Sequence, residues 1–146
     1  MFNIPFNRPY IKEQASKFIN QVLESGNLTE SNYTKECESL IQKQIKSNNC
    51  LLTNSCTAAL EMSAMLSCLS PGDEIIMPSY TFVSTANAFV LRGCKPVFAD
   101  IDKETLNLDI NKIESLITKK TKCIVPVHYG GNSCDMDNLL KISRKY

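Results

Sequence analysis

Apolar residues recur at helical spacing through the first part of the chain. They return every three or four residues, as expected for amphipathic helices that each bury one face. The pattern predicts one helix that ends at residues 25–26, where Gly26 is a common stop, and a second that begins near Thr34. The apolar positions are Ile11, Ala15, Phe18, Ile19, Val22 and Leu23 in the first helix, and Cys37, Leu40, Ile41 and Ile45 in the second.

Beyond residue 49 the pattern changes to short apolar runs that alternate with helical stretches. Predicted strands lie at 50–53, at 74–77, within 95–102 and within 121–131, the last with Pro126 inside it. Predicted helices lie at 54–67 and 79–93, and two more follow Asp109 and Asp135 as possible caps. Such alternation is typical of an α/β domain with a mainly parallel sheet.

The stretch NSCTAALEMSAMLS, residues 54–67, places small and hydroxylated side chains where a strand would pass into a helix. Backbone N–H groups at a helix start point outward, and the helix dipole favours negative charge. Ser55, Cys56, Thr57 and Ala58 are therefore candidates for binding a phosphate. An ordinary capped helix is the alternative, because Asn, Ser and Thr are favoured caps in any case.

Charge and composition limit the partners. The 16 basic and 15 acidic residues leave a formal charge of +1, which gives no reason to expect nucleic acid or an anionic membrane as a partner. The N-terminus MFNIPFNRPY lacks the apolar core of a secretory signal, and no run approaches a membrane span. Seven cysteines without a CxxC pair, beside the single His128, are poor material for zinc and indicate a reducing compartment. We therefore expect a cytoplasmic protein with no metal site.

In open α/β sheets, ligands bind beyond the carboxyl ends of the strands. Three predicted loops lie there: 55–58, 79–85 and 128–131. Neither GxGxxG nor GxxxxGK[ST] occurs, which argues against a dinucleotide or a P-loop nucleotide. The candidate phosphate site has no lysine or arginine close by in the sequence, and Phe82 lies in a neighbouring loop. This combination suits a planar phosphorylated cofactor, whose phosphate the helix start would bind and whose ring an aromatic face would cover. From spacing alone, however, a core position for Phe82 is favoured.

Several segments, in this order, resemble the sugar aminotransferases of the DegT/DnrJ/EryC1/StrS family: SCTAALEM, PGDEIIMPSYTFVSTANAFVLRG, PVFADID with TLNLD, and CIVPVHYGG with DMD. The opening IPFNRP and the segment SGNLTES also match. The resemblance implies a pyridoxal-phosphate enzyme of the aspartate aminotransferase fold. It implies that residues 1–146 form the N-terminal portion of the large domain. The aspartate that pairs with the pyridinium and the lysine that binds the cofactor covalently would follow residue 146, so no catalytic residue is expected within the chain.

By the same resemblance, the phosphate-binding turn falls on Cys56, Thr57 and Ala58, mainly through backbone amides. Cys56 stands where many members have glycine, and Phe82 takes the place of the aromatic residue that stacks on the pyridine ring. Three further positions match residues near the family site: Asn87, His128 and Tyr129. For these three, direct contact and packing at the sheet end are equally open.

Within the family, LLTNSCTAALEM and MPSYTFVSTANAFVLRG resemble one subgroup, and this resemblance implies amination of dTDP-4-dehydro-6-deoxyglucose with glutamate for polysaccharide synthesis. The implied partners are a nucleotide sugar, glutamate and a second copy of the enzyme in a homodimer. Two alternatives remain within the family: another 4-keto or 3-keto sugar nucleotide, or a lysine-free dehydratase. A third, of a different class, is a non-catalytic half-domain or split-gene module that dimerises or docks on a partner chain.

Overall fold

A computed structural model of the chain describes residues 4–5, 7–29 and 31–146. Phe6 in the IPFNRP segment and Glu30 in the SGNLTES segment lie outside the described residues, as do residues 1–3. The chain forms two compact units, Met1–Leu52 and Thr53–Tyr146. The expectation that residues 1–146 belong to one larger domain stays a prediction.

The first unit contains the two predicted helices, α1 (Gln14–Ser25) and α2 (Asn32–Ile45). The predicted stop is confirmed, because Gly26 adopts a left-handed conformation and its N–H donates to the Leu23 carbonyl. The rings of Phe18 and Tyr33 meet edge to face at 5.6 Å. Neither helix contains a fully buried residue, so their apolar faces stay largely exposed within this unit.

The predicted strand at 50–53 is wrong, since these residues have irregular backbone. A strand forms only where a neighbouring strand completes its hydrogen bonds. Among the described residues, the ladder pairings join three other strands and leave out 50–53. Instead, the Leu52 N–H donates to the Glu38 carboxylate at 3.1 Å.

The second unit is built on a three-stranded sheet of β1 (Glu74–Pro78), β2 (Lys95–Ala99) and β3 (Thr121–Ile124). The order is β2-β1-β3 and both pairings are parallel, which confirms the predicted mainly parallel α/β fold. In the central strand Ile75, Ile76 and Met77 are fully buried. An uninterrupted apolar strand is expected where both faces of a parallel sheet are covered.

Four helices belong to this unit: α3 (Cys56–Leu66), α4 (Ser84–Val90), α5 (Ile110–Ile113) and α6 (Met136–Lys145). Short 3₁₀ turns follow at Glu114–Leu116 and Tyr129–Gly131. Both predicted caps are confirmed, because the side chain of Asp109 accepts from the Asn111 N–H and that of Asp135 from the Asn138 N–H.

Side chains of β1 alternate between two hydrophobic clusters, as the twofold period of a strand requires. Ile76 packs in the cluster that contains Ile113 and Leu139. Ile75 and Met77 belong to the opposite cluster, with Ala64 of α3 and Phe89 of α4. Helices therefore cover both faces of the sheet, and the loops at the strand ends remain free to form a site.

Two predicted elements are shorter than expected, and both changes lengthen the loops at the carboxyl end of the sheet. The helix predicted over 79–93 begins only at Ser84, because residues 79–83 form a turn in which the Thr81 N–H donates to the Ser79 carbonyl. The strand predicted within 121–131 ends at Ile124. The Val125 N–H still donates to the Ile76 carbonyl of β1. The next residue, Pro126, has no N–H group, so the ladder of hydrogen bonds does not continue from its nitrogen.

Candidate functional site

A cavity of about 430 Å³ lies at the carboxyl ends of β1 and β3. It is lined from the start of α3, from the loop and first turn after β1, and from the segment after β3. The lining residues are Cys56, Leu60, Tyr80, Thr81, Phe82, Thr85, Val125, Pro126, Val127 and Tyr129. Three predicted site residues, Cys56, Phe82 and Tyr129, thus meet in one cavity at the end of the sheet where ligands of α/β proteins bind.

The start of α3 combines a cap with free donors. Ser55 is extended, and its Oγ accepts a hydrogen bond from the Ala58 N–H at 3.1 Å. The N–H groups of Cys56 and Thr57 have no acceptor among the described residues, as expected for the first turn of a helix. The two alternatives raised by the sequence are therefore compatible: the cap uses one amide and leaves two for an anion.

Two hydroxyl groups lie beside these amides, although Thr57 and Ser84, which carry them, are not among the residues that line the cavity, and neither is Ala58. The Thr57 hydroxyl donates to Ser84 Oγ at 3.1 Å, which ties the start of α3 to the start of α4. Both hydroxyls can reorient toward a ligand oxygen, since a hydroxyl rotates to suit its partner. Ala58 differs from Cys56 and Thr57, because its N–H already donates to Ser55 Oγ. Ala58 therefore contributes a small side chain to the turn and no free donor.

Phe82 lies in the loop between β1 and α4 and is 74% exposed. The core position that spacing favoured is therefore wrong for this residue. Its ring contributes to the cavity wall while most of its surface stays free. Such a ring can cover a planar ligand by offset stacking.

Tyr80 and Tyr129 pack against each other on the cavity wall. Their ring centroids lie 4.6 Å apart at 29°, and their hydroxyl oxygens are 2.7 Å apart. The hydrogen bond with Tyr80 favours the protonated form of Tyr129 and so raises the pKa of the Tyr129 phenol above its ordinary value. Tyr80 was missed as a site residue, although it lies inside the loop 79–85 that the strand ends had indicated.

Asn87 and His128 are not among the residues that line the cavity. Asn87 is exposed on α4, and His128 is exposed at the end of the segment after β3. Nδ1 of His128 accepts a hydrogen bond from the Cys134 N–H at 3.0 Å, so the neutral ring carries its hydrogen on Nε2. The contribution of these two residues to a site stays a prediction.

The chemistry of the lining fits a planar phosphorylated ligand. None of the lining residues is acidic or basic, so a phosphate there would be held by neutral N–H and O–H donors. Within the described part of the chain, no three His, Cys, Asp or Glu side chains are grouped so that they could hold a metal ion. No helix there is long and apolar enough to cross a membrane.

Solved structures define the class of fold. Spr1654, a candidate sugar aminotransferase of Streptococcus pneumoniae, superposes in its PLP form with a TM-score of 0.91 at 35% identity, over 99% of this chain and 37% of that one. Its PMP form gives the same values. The second comparison is PseC of Helicobacter pylori, an aminotransferase of pseudaminic acid biosynthesis, with a TM-score of 0.89 at 31% identity, over 97% of this chain and 38% of that one. The chain thus shares the α/β fold of PLP-dependent aminotransferases and covers about a third of the length of these structures.

The family follows from the sequence match. The DegT/DnrJ/EryC1/StrS aminotransferase family matches residues 9–146, and the chain belongs to this family. The spore coat polysaccharide biosynthesis protein SpsC of Bacillus subtilis is 39% identical over 143 residues, which is 98% of this chain. The chain spans 37% of the length of that relative. Pyridoxal phosphate is the cofactor of the family.

Proposed function

We propose that this chain is the cofactor-binding N-terminal part of a pyridoxal-phosphate-dependent nucleotide-sugar aminotransferase. The observation that carries the proposal is the cavity in which Cys56, the first residue of α3, and the exposed ring of Phe82 meet. A helix start with free amides suits a phosphate, and an uncovered aromatic face suits a planar ring. Both features lie in a chain of an aminotransferase family.

In this proposal the N–H groups of Cys56 and Thr57 hold the cofactor phosphate, and the hydroxyls of Thr57 and Ser84 add donors. Phe82 covers the pyridine ring and excludes water from one face. Bound pyridoxal phosphate would supply the electron sink for amino-group transfer. The chain's own residues bind and orient the cofactor, and the residues that act on protons are expected in the rest of the enzyme.

A groove beside β3 supports the proposal of a longer enzyme. It has a volume of about 960 Å³ and is lined by β3 and by α6 residues such as Leu139 and Ile142. β3 is an edge strand, so one side of its backbone lacks a strand partner. A right-handed crossover through α6 leads back to the sheet beside β3. We infer that a further parallel strand of the enzyme occupies this groove.

The proposed reaction is transfer of an amino group from glutamate to dTDP-4-dehydro-6-deoxyglucose, which yields dTDP-4-amino-4,6-dideoxygalactose. The chain is 39% identical to the UDP-4-amino-4-deoxy-L-arabinose–oxoglutarate aminotransferase of Shewanella sediminis, over 98% of this chain and 37% of that enzyme. That enzyme is named for an amino group at C4 of a nucleotide sugar. The name of SpsC supports a role in polysaccharide synthesis. We further propose a cytoplasmic homodimer.

Cofactor binding can be tested on the chain itself by alkylation of Cys56. Cys37, Cys56 and Cys68 are all exposed, so iodoacetamide should label each of them, and peptide mass spectrometry reports each rate. We expect pyridoxal phosphate to slow labelling at Cys56 alone, because only Cys56 lines the cavity. One helix terminus contributes about 1 kcal/mol through its dipole. We therefore expect protection at roughly millimolar concentrations.

Cys37 and Cys68 are internal references for this experiment, and pyridoxal without its phosphate is the ligand control. Protection of all three cysteines to the same extent would indicate non-specific modification. Absence of protection at Cys56 at tens of millimolar would contradict the assignment of the phosphate turn.

Activity requires the longer polypeptide. It can be obtained by reading the coding sequence downstream of residue 146, or by fusing residues 1–146 to the remaining part of Spr1654. We expect the longer enzyme to form the amino sugar from dTDP-4-dehydro-6-deoxyglucose only when glutamate is present, and mass spectrometry of the nucleotide sugar measures this product. Transfer to another keto sugar nucleotide would correct the substrate and keep the class. No transfer to any keto sugar by a folded, cofactor-loaded protein would contradict the proposed function.

A further inference from the structure

Asn107 is a buried polar residue that joins two loops of the second unit. It is 4% exposed and lies between β2 and α5. Its Oδ1 accepts from the Tyr129 N–H at 2.9 Å, and its Nδ2 donates to the Asn132 carbonyl at 3.0 Å. A buried amide that bonds two backbone groups of another loop fixes that loop, because breaking either bond would leave a desolvated polar group unpaired.

The segment that carries Asn107 is itself tightly closed. Asp102 Oδ1 accepts from the N–H and the hydroxyl of Thr105, both at 2.9 Å. Leu106 adopts the left-handed conformation with φ of 59°, which is costly for a residue with a Cβ atom, and its N–H donates to the Asp102 carbonyl at 2.9 Å. The Asp102 N–H in turn donates to the Asn107 carbonyl at 2.8 Å. Asn107 is thus presented from a rigid turn.

The loop that Asn107 holds carries one member of the tyrosine pair. The Tyr129 N–H is fixed by Asn107, while the Tyr129 ring stacks on Tyr80 and shares the 2.7 Å hydroxyl contact. Gly130 and Gly131 follow with φ of 59° and 83°, so the chain turns sharply between Tyr129 and the second Asn107 contact at Asn132. Both ends of this turn are pinned, and the Tyr129 side chain is left to reach Tyr80.

We propose that Asn107 is a positioning residue of the cavity, which acts through Tyr129 by holding its ring and hydroxyl against Tyr80. Tyr80 and Tyr129 line the same cavity as Cys56 and Phe82, so the position of the pair should affect cofactor binding. This effect on cofactor binding rests on the proposed function. One hydrogen of the paired hydroxyls lies between the two oxygens, and the other stays available to an oxygen of a bound ligand. Loss of Asn107 would release the loop and separate the pair.

The test compares Asn107→Leu, which keeps the size and removes both hydrogen bonds, with the matched variant Asn111→Leu. Asn111 is exposed on α5, and its side chain donates to Asp109 rather than to the Tyr129 loop. The ligand-free chain is labelled with ¹³C-tyrosine, and its five tyrosines are assigned with Tyr→Phe variants. Two signals are followed by NMR: the NOE between the rings of Tyr80 and Tyr129, and the titration of the Tyr129 phenol.

We expect Asn107→Leu to lose the ring NOE and to lower the Tyr129 pKa toward its ordinary value, as Tyr80→Phe should also do. Asn111→Leu should leave both signals unchanged. A folded Asn107→Leu chain that keeps the NOE and the titration would overturn the proposal. If that variant does not fold, Asn107→Ser takes its place under the same two measurements, because serine is too short to bond both backbone groups.

The bearing on the cavity is measured separately. We expect Asn107→Leu to need a severalfold higher concentration of pyridoxal phosphate than the parent chain for equal protection of Cys56. Unchanged protection would overturn the link between Asn107 and the cavity. If pyridoxal phosphate fails to protect Cys56 in the parent chain, the proposed function fails, while the two NMR signals still decide whether Asn107 positions Tyr129.

Discussion

Replacing Phe82 by alanine should cost little stability, because the structure leaves 74% of this residue exposed. A phenylalanine that is fully buried removes about 150–250 Å² from water, so the buried quarter of Phe82 corresponds to roughly 40–60 Å². At about 25 cal/mol per Å² this gives an upper estimate of about 1–1.5 kcal/mol. The matched control is Phe89→Ala, since Phe89 is 3% exposed in the cluster with Ile75 and Met77. A buried Phe→Ala change costs about 3–5 kcal/mol.

Urea unfolding followed by circular dichroism measures both variants against the parent chain. The free energy of unfolding should fall about threefold more for Phe89→Ala than for Phe82→Ala. Equal losses would place Phe82 in the core and would refute the argument that its ring is available to a ligand.

The same Phe82→Ala variant should weaken the cofactor in the longer enzyme. A stacked aromatic contact contributes about 1 kcal/mol beyond area burial, which corresponds to an affinity about fivefold lower without it. Fluorescence titration with pyridoxal phosphate measures the dissociation constant. Unchanged affinity in a folded variant would show that Phe82 does not cover the ring.

Three further predictions concern the chain itself. Borohydride reduction of residues 1–146 with pyridoxal phosphate should give no stoichiometric adduct on any single lysine, because no lysine lines the site cavity. Detection of such an adduct by mass spectrometry would contradict the expectation that the lysine that binds the cofactor lies outside residues 1–146. Light scattering at micromolar concentration should show a dimer or larger assembly, because association buries apolar surface at the β3 edge and on the exposed helix faces. A monodisperse monomer would count against this prediction. Hydrogen bonds from the Thr105 backbone and hydroxyl hold the pKa of Asp102 below its usual range. The Asp102 carboxylate therefore binds a proton more readily in the unfolded chain than in the folded one. Its contribution to the free energy of unfolding is present above about pH 4 and is lost as the pH falls through the lower folded-state pKa. Asp102→Ala should therefore flatten the acid branch of the stability curve measured by urea unfolding, and an unchanged branch would refute the assignment.

Local sequence signals determined much of the fold. Apolar spacing, Gly26 and the caps Asp109 and Asp135 predicted helices that the structure contains, because such signals act within a few residues of each other. The short apolar run at 74–77 likewise predicted the strand β1, and the structure buries that strand on both faces. The small residues at the start of α3 and the family motifs indicated a phosphorylated cofactor before any geometry was known.

Other features were decided only by tertiary structure. Residues 50–53 have a strand-like composition but no strand partner, and a strand depends on its neighbours rather than on its own side chains. The exposure of Phe82 likewise depends on where the loop after β1 runs, which helix and strand periodicity does not specify. Tyr80 and Tyr129 meet across 49 positions of sequence, and Asn107 reaches Tyr129 across 22. Contacts at such separations arise from the order of the strands and the paths of their loops, so the sequence determined the elements and the tertiary structure assembled the cavity.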